Sequence, residues 1–570
     1  MQRRWVFPRP VDPLRVRQFQ RDLAVPSFIA EWLLRRGLEN NEQADGFLHP
    51  RLKTLGDPFT LPGMRQAVDR IDAALRRKEK IVLYGDYDVD GVASLALLTR
   101  FLRAFGASVE CFLPVRADEG YGLSPAGLRR CFEDYSPTLL IAMDCGTNAV
   151  DEIAEIRRLG VDVIVLDHHE PQPTLPDCVA IVNPKCGSDY EYLCSAGVTF
   201  KLCHAILKNT PSADIDLKDY LDLVALATLA DLVPLVGENR ILVSRGLKQM
   251  ASTRWPGLCA LMEVSGVKAP VKGGDVGFRL GPRINASGRL GTALESLKLL
   301  LTDNPVEARN IALNLDLQNR ERQTVERAVA IEAEKRVTDD YDPAKMRSIV
   351  LGETNWHQGV LGIVASRITK RWHRPSLVIG FDEEGFGKGS GRSIEGFSLV
   401  EALGRCSHLL DKFGGHQMAA GLTLRRESFE EFRTTFEKVS EEMLNDEMLT
   451  RSLHLDGELS LSEVDETLLQ GLEMLEPFGM DNLQPMLVAR GVAPSAAPAV
   501  LKEKHLRFEF TEGRRRVTAM YFDGALEKLP HPPWDIAFRI ERNDFRGRST
   551  PQIYVSDVRS STGAGAVPLS

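Results

Sequence analysis

The chain has 570 residues, 43% hydrophobic and 26% charged, which is too long for one hydrophobic core and has the composition of a soluble protein of three or four domains. Its net charge of −8 leaves no overall basic footprint for nucleic acid, so any such surface has to be local, and the longest apolar run, YLDLVALATLADLVPLVG, is broken by Asp222 and Asp231 and excludes a membrane span. Nine cysteines without a CxxC pair exclude a disulfide framework and imply a reducing, cytoplasmic setting, and the opening MQRRWVFPRPVDP lacks the apolar core of a secretory signal.

Residues 1–48 are set apart as an N-terminal segment. Over 49–301, KIVLYG, VECFLP, TLLIAMD and VDVIVLD read as strands that are apolar throughout, and GVASLALLTRFLRAFG, SPAGLRRCFEDY and NAVDEIAEIRRLG read as helices between them. That alternation predicts an α/β lobe built on a parallel sheet covered on both faces. In such a sheet ligands bind outside the carboxyl ends of the strands. Those ends carry Asp86, Asp88 and Asp90, then Asp144, then Asp167, His168 and His169. Asp231, an acid in the apolar helical segment LATLADLVPL, is a further contributor, since a buried carboxylate needs a partner.

A single aspartate after a strand is commonly a turn or capping residue, and a lone histidine pair is commonly structural. Recurrence at three strand ends favours one shared site. Charges so crowded are unfavourable unless cations sit among them. Oxygen ligands with one or two imidazoles suit Mn2+ or Mg2+, and several carboxylates, one able to bridge, suit two ions about 3.5–4 Å apart that activate water beside a phosphate.

Further on, GFRLGPRINASGRLG offers Arg279, Arg283, Asn285 and Arg289 among glycines as phosphate contacts. The run Asn304 to Val337 has no internal Gly or Pro and predicts, within 302–340, a connecting helix of roughly 50 Å. A second α/β lobe follows over 341–440. Its GKGSGRS and FGGHQMAAG place Ser390, Arg392 and His416 in small-residue surroundings able to hold a phosphate. Residues 441–562 are β-rich and suggest a small barrel. There Arg507, Arg514, Arg515, Arg516, Arg542, Arg546 and Arg548 alternate with Phe508, Phe510, Tyr521 and Phe545. Cations that track phosphates and rings that stack bases would hold a single strand, with Arg507, Arg514, Arg516 and Arg546 as the expected contacts. The competing reading is a solvated arginine face over an aromatic core. The tail 563–570 is expected to be disordered.

GDYDVDGVAS, MDCGTN, VLDHHE and ATLADLVPL resemble, in order, the motifs of the DHH phosphoesterase superfamily. GFRLGPRINASGRLG, NWHQGVLGIVASRI, GSGRS, FGGHQMAAG and LEPFGMDNLQP resemble those of the RecJ-like single-stranded-DNA exonucleases, so the likeness runs from about Gly85 to Pro485. The resemblance implies a DHH catalytic lobe, a DHHA1-like second lobe and an OB-like C-terminal domain. It makes Asp86, Asp88, Asp90, Asp144, His168 and Asp231 metal ligands, with Asp144 bridging. It sets His169 on the phosphate and Asp167 behind a histidine, the four residues Asp144, Asp167, His168 and His169 forming the catalytic group. The implied activity is 5′→3′ hydrolysis of single-stranded DNA in repair and recombination, in the cytoplasm with the nucleoid, with single-strand-binding protein and a helicase as partners and no membrane. Two alternatives are a phosphatase acting on pyrophosphate, pAp or short oligonucleotides, and a DNA-bound scaffold without activity. The additional C-terminal module weighs against the first and the full set of acids against the second.

Overall fold

The computed structural model describes residues 3–561, apart from 116–118, 121, 291, 343–344, 514 and 546 and the side chains of 290, 545 and 548. Arg514, Arg546 and the tail 563–570 therefore lie outside the described residues. Among the described residues no helix is long and apolar enough to cross a membrane, and all nine cysteines are unpaired.

The first sheet has five parallel strands in the order Val109–Phe112, Ile81–Gly85, Leu139–Met143, Asp162–Leu166 and Ala180–Val182. Its central strands are buried on both faces. The helices Met64–Arg77, Val89–Ala104 and Ser195–Asn209 share the core on one face, and Pro125–Tyr135 and Val150–Arg158 cover the other. Gly85, Met143, Leu166 and Val182 are successive cross-strand partners. The next residue of each strand therefore emerges at the same level of one edge, which lines up Asp86, Asp144, Asp167 and Asn183.

The run GFRLGPRINASGRLG is helical, a π-helical turn Val276–Leu280 leading into the helix Gly281–Leu290. Gly288 allows this helix to lie against the metal-motif loop, since a Cβ there would stand 3.0 Å from the carbonyl of Tyr87. The long helix spans Pro305–Asp340, its first amides capped by Asn304. Ala308, Ala312 and Leu315 belong to the core of the first lobe, and Val329, Ala330, Ala333 and Val337 to a core of the second. At about 1.5 Å per residue the helix holds the two lobes some tens of ångströms apart along its axis.

The second lobe is a five-stranded mixed sheet in the order Lys412–Gly415, Ala419–Arg425, Phe386–Arg392, Ser376–Phe381 and Ile349–Thr354. The C-terminal domain is a seven-stranded sheet. The N-terminal segment is not independent of it. Val16, Phe28, Ile29 and Trp32 share one core with Leu468, Phe508, Trp534 and Phe538, and Arg4–Val6 pairs in parallel with Ser452–His454. The two ends of the chain thus fold together.

Candidate metal centre

Asp88, Asp90, Asp144 and Asp167 are each held by a definite local device. Asp88 caps the helix Val89–Ala104, accepting from the amides of Asp90 at 2.9 Å and Gly91 at 3.1 Å. Gly91 permits the tight crossing, because a Cβ there would stand 2.4 Å from the carbonyl of Asp86. Asp90 accepts from the amides of Ser195 at 2.7 Å and Ala196 at 2.9 Å, the first turn of the helix Ser195–Asn209. Asp144 has left-handed backbone, φ 61, and accepts from Ser195 Oγ at 2.9 Å. Asp167 accepts from the amides of His168 at 2.7 Å, His169 at 3.2 Å and Thr147 at 3.0 Å, and lies 2.7 Å from His169 Nδ1. His168 Nε2 stands 3.3 Å from Asp144, 3.6 Å from Asp231 and 3.8 Å from Asp90.

Three groups have ligand atoms within 4.8 Å of one another: Asp86 with Asp88 and Asp144, Asp90 with His168 and Asp231, and Asp144 with His168 and His169. Asp144 and His168 are the shared members. Burial, then the charge of Asp88, pushes the Asp90 carboxyl up to about 6 despite the amides that hold it. Burial, then Asp90 and Asp88, pushes Asp231 up to about 8. Burial and the surrounding aspartates raise Asp144 well above the usual carboxylate range. Burial, reinforced by His169, drives His168 down to about 3, so its imidazole is neutral and can offer a lone pair. Burial alone would lower His169, but the bond and charge of Asp167 outweigh it and lift it to about 9. Burial likewise opposes ionisation of Asp167, yet the hydrogen bond and charge of His169 hold it well below the usual range.

This donor set fits hard divalent ions. It consists of carboxylate oxygens and one neutral imidazole. Asp231 Oδ2 is buried and accepts no hydrogen bond among the described residues, as expected of an atom waiting for a cation. The nearby thiols Cys145 and Cys194 are raised well above their ordinary values by burial and do not compete as ligands.

A measurable consequence follows from the signs. Between pH 6.5 and 8.5 the folded protein without metal retains protons on Asp231 and His169 that the unfolded chain has lost. In EDTA, stability should therefore fall with rising pH across that window, by on the order of 2 kcal/mol, and Mn2+ should shrink the fall by removing the contribution of Asp231, leaving that of His169. Urea midpoints at the two pH values, with and without Mn2+, check this; equal slopes in EDTA and Mn2+ would contradict it.

The remaining expected residues divide. Arg279 donates to the carbonyls of Ser265 and Gly266 at 2.7 Å each and to Asp275 at 3.1 Å, closing the end of the helix Pro256–Ser265. Arg283 donates to Asp316 at 2.9 Å and to the carbonyl of Arg279 at 2.6 Å. The structure thus gives both protein partners, not the open guanidinium expected from the sequence. Asn285 is half-buried on the helix Gly281–Leu290. Arg289 crosses to the second lobe, donating to the carbonyl of Gly359 at 3.2 Å. Ser390 and Arg392 sit together, with Arg392 donating to Ser390 Oγ at 3.1 Å and to the carbonyl of Gly391 at 2.7 Å. No carboxylate among the described residues pairs with Arg392. His416 is exposed at a hairpin tip.

In the C-terminal domain Phe508, Phe510 and Tyr521 are 0, 1 and 5% exposed and belong to the core, so they cannot stack bases. Arg515 donates to the carbonyls of Ser462 and Val464, and Arg542 pairs with Glu466 and Glu473. Arg507 and Arg516 reach the surface, each near Glu509. The rings this surface does offer are Phe522 and Tyr554, stacked with centroids 5.8 Å apart. Tyr554 lies in a cross-strand row with Arg507, Met520 and Arg539. A groove of about 1470 Å³ is lined by Leu229, Ala230 and Leu232, which bracket Asp231 in sequence, and by Lys248, Phe278 and Arg539; Asp231 and the other acids do not themselves line it. The sequence reading missed Ser195 and Ala196, which hold the acids, and Asn183, whose amide donates to Thr147 Oγ1 at 2.9 Å and to the carbonyl of His169 at 2.8 Å.

Comparison with known proteins agrees with this geometry. Residues 80–228 match the DHH family N-terminal domain, 345–442 the DHHA1 domain and 455–557 the RecJ OB domain. The chain is 35% identical over 567 residues to the single-stranded-DNA-specific exonuclease RecJ of Bacillus subtilis, covering 98% of this chain and 71% of that one. It is 34% identical over 547 residues to that of Haemophilus influenzae, covering 91% and 94%. The crystal structure of Thermus thermophilus RecJ in complex with Mn2+ matches with a TM-score of 0.85 at 32% identity, over 98% of this chain and 80% of that one. The Mg2+ complex of the same protein matches with a TM-score of 0.79 at 30% identity, over 98% and 79%.

Proposed function

Because the chain belongs to the RecJ family of single-stranded-DNA-specific exonucleases, we propose that it hydrolyses single-stranded DNA from the 5′ end to 5′-mononucleotides, in DNA repair and recombination. The observation that carries this reading is the convergence of carboxylates and one neutral imidazole at a single sheet edge, beside a groove that reaches the C-terminal domain. Two divalent ions, Mn2+ or Mg2+, would supply activation of water and neutralisation of phosphate charge when bound there. Asp86, Asp88, Asp90, Asp144, His168 and Asp231 would hold them in this reading, Asp144 belonging to two of the three ligand groups.

The protein's own groups do the rest. Asp167 keeps His169 cationic and turned toward the site, where it donates to a non-bridging phosphate oxygen and stabilises the charge that grows there. Ser390 and Arg392 present a hydroxyl and an uncompensated cation to a phosphate from the second lobe, and His416 extends that edge. Of the arginines in the 277–291 run, Arg289 is the one we place at the substrate, since it reaches the second lobe. The strand leaves over Arg539, Tyr554, Phe522, Arg507 and Arg516. We divide the chain at 49, 302, 341 and 441. Because a helicase supplies single strands and a single-strand-binding protein covers them, both are the partners this chemistry implies, in the cytoplasm beside the chromosome.

The test is a comparison of substrates in Mn2+. A long single strand labelled at its 5′ end should release labelled mononucleotide ahead of any 3′ label, while pyrophosphate and pAp are turned over far more slowly. Faster turnover of either small substrate would replace the nuclease by a phosphatase. In the same assay Arg392→Ala should raise KM for a short oligonucleotide by about 10-fold, on the scale of one lost charge-assisted contact. An unchanged KM would remove Arg392 from the substrate path.

A further inference from the structure

The segment LEPFGMDN, residues 475–482, belongs to neither the catalytic sheet nor the C-terminal sheet, yet two buried side chains pin its main chain. The buried guanidinium of Arg240 donates to the carbonyls of Leu475 at 2.9 Å, Met474 at 3.1 Å and Glu476 at 3.0 Å, and its Nε to Phe47 at 2.8 Å. The buried amide of Asn482 donates to the carbonyls of Leu475 at 2.9 Å and Pro477 at 2.8 Å. Gly479 and Asn482 exchange main-chain hydrogen bonds at 3.0 and 3.2 Å. Arg240 and the Asn482 amide nitrogen thus pin the main chain of the turn from two sides, while Asn482 Oδ1 accepts no hydrogen bond among the described residues.

What the turn touches is the loop that carries Asp231. The amide of Leu235 donates to the carbonyl of Met480 at 2.9 Å. Gly479 is wedged against both flanks of Asp231: a Cβ on it would stand 2.7 Å from Leu235 Cδ1 and 3.6 Å from Leu229 Cδ2. The loop is held a second time by Asn239, whose amide donates to the carbonyl of Pro234 at 3.0 Å. The contrast with the other acids is physical. Asp88, Asp90 and Asp144 each accept hydrogen bonds that aim the carboxylate. Asp231 Oδ2 accepts none among the described residues, so the position of this carboxylate is set by the walls of its loop.

We infer that the 475–482 turn is a positioning element for Asp231, setting where that carboxylate stands relative to His168 and Asp90 and making the metal centre depend on how the C-terminal domain is seated. The inference rests on the reading of Asp231 as a metal ligand.

The test is Mn2+ titration of the full chain, followed by calorimetry and by the spin-resonance signal of free Mn2+. Gly479→Val should weaken one of two Mn2+ sites by about 10-fold or more, the scale of a lost supporting contact at a metal ligand, and leave the other nearly unchanged. Adding Leu235→Ala to that variant, which vacates the contested space, should restore the affinity. If the valine variant does not fold, Gly479→Ala makes the same demand on Leu235 and is read in the same way. A folded Gly479→Val with the wild-type Mn2+ isotherm, or a double variant that stays weak, overturns the inference, since a merely structural role would lower thermal stability without changing metal affinity. Asp231→Ala separates the premise from the coupling: it should lose the same site. Two intact sites in Asp231→Ala would overturn the ligand assignment and the inference with it, whereas loss of a site there with a wild-type Gly479→Val isotherm overturns the coupling alone.

Discussion

Asp144→Ala should abolish nucleotide release, by at least about 10³-fold, while affinity for single-stranded DNA in the absence of turnover stays within about twofold of wild type. The asymmetry comes from where Asp144 sits. It is 2% exposed, belongs to two of the three ligand groups, and lies 3.3 Å from His168 Nε2. Removing it takes an oxygen from both of those groups at once. The groove and the Arg507–Tyr554–Arg539 row are not touched. A second signature distinguishes loss of a ligand from loss of fold. Burial and the neighbouring aspartates disfavour ionisation of Asp144 in the protein without metal. Relieving that crowding offsets part of the backbone cost of Ala at this position, so the metal-free variant should stay folded at pH 8, and Mn2+ should no longer raise its melting temperature. Because Asp144 has left-handed backbone, Asp144→Asn is the better-tolerated companion and should behave alike. Activity within tenfold of wild type in a folded variant would displace Asp144 from the centre of the mechanism.

The catalytic lobe was legible because its signals are local and repeated. Strands apolar throughout announce a sheet buried on both faces, and the residues that follow them fall on one edge by register alone. Asp86, Asp144 and Asp167 therefore fall together on sequence pattern alone. Ser195 and Ala196 could not, because a helix N-terminus that aims an aspartate more than a hundred residues earlier leaves no spacing to read. Arg279 and Arg283 show the limit of composition: arginine among glycines suggests an open phosphate contact, while the helix that forms turns both guanidinium groups onto protein carbonyls and Asp316. In HLRFEF the alternation itself held the answer. Leu506, Phe508 and Phe510 share one face of the strand, and Arg507 and Glu509 the other, so the two phenylalanines follow the core. The common core of residues 16–48 with the C-terminal sheet was out of reach, since nothing in either segment names its partner.

His169→Gln should lower kcat by about 10²-fold, with a much smaller change in KM, and should flatten the alkaline limb of the pH profile. The bond from His169 Nδ1 to Asp167, 2.7 Å long, together with the carboxylate charge, overcomes burial and holds the imidazole protonated up to about 9. Its neighbour His168 is driven the other way, to about 3, by burial and by the charge on His169. Two adjacent histidines are thereby split into a neutral imidazole and a fixed cation, burial lowering the first and Asp167 raising the second. Bound divalent ions would repel a proton on His169, so in the metal-loaded enzyme the limb should fall at or below pH 9: activity is present while His169 is protonated and is lost as pH rises through its pKa. Asp167→Asn supplies the decisive comparison. Without that carboxylate the imidazole loses its counter-charge, its pKa drops, and the limb should move to lower pH by about one unit or more. A limb that stays in place in Asp167→Asn, or that persists in His169→Gln, would assign the titration to another group and leave the phosphate without its cation from this side of the site.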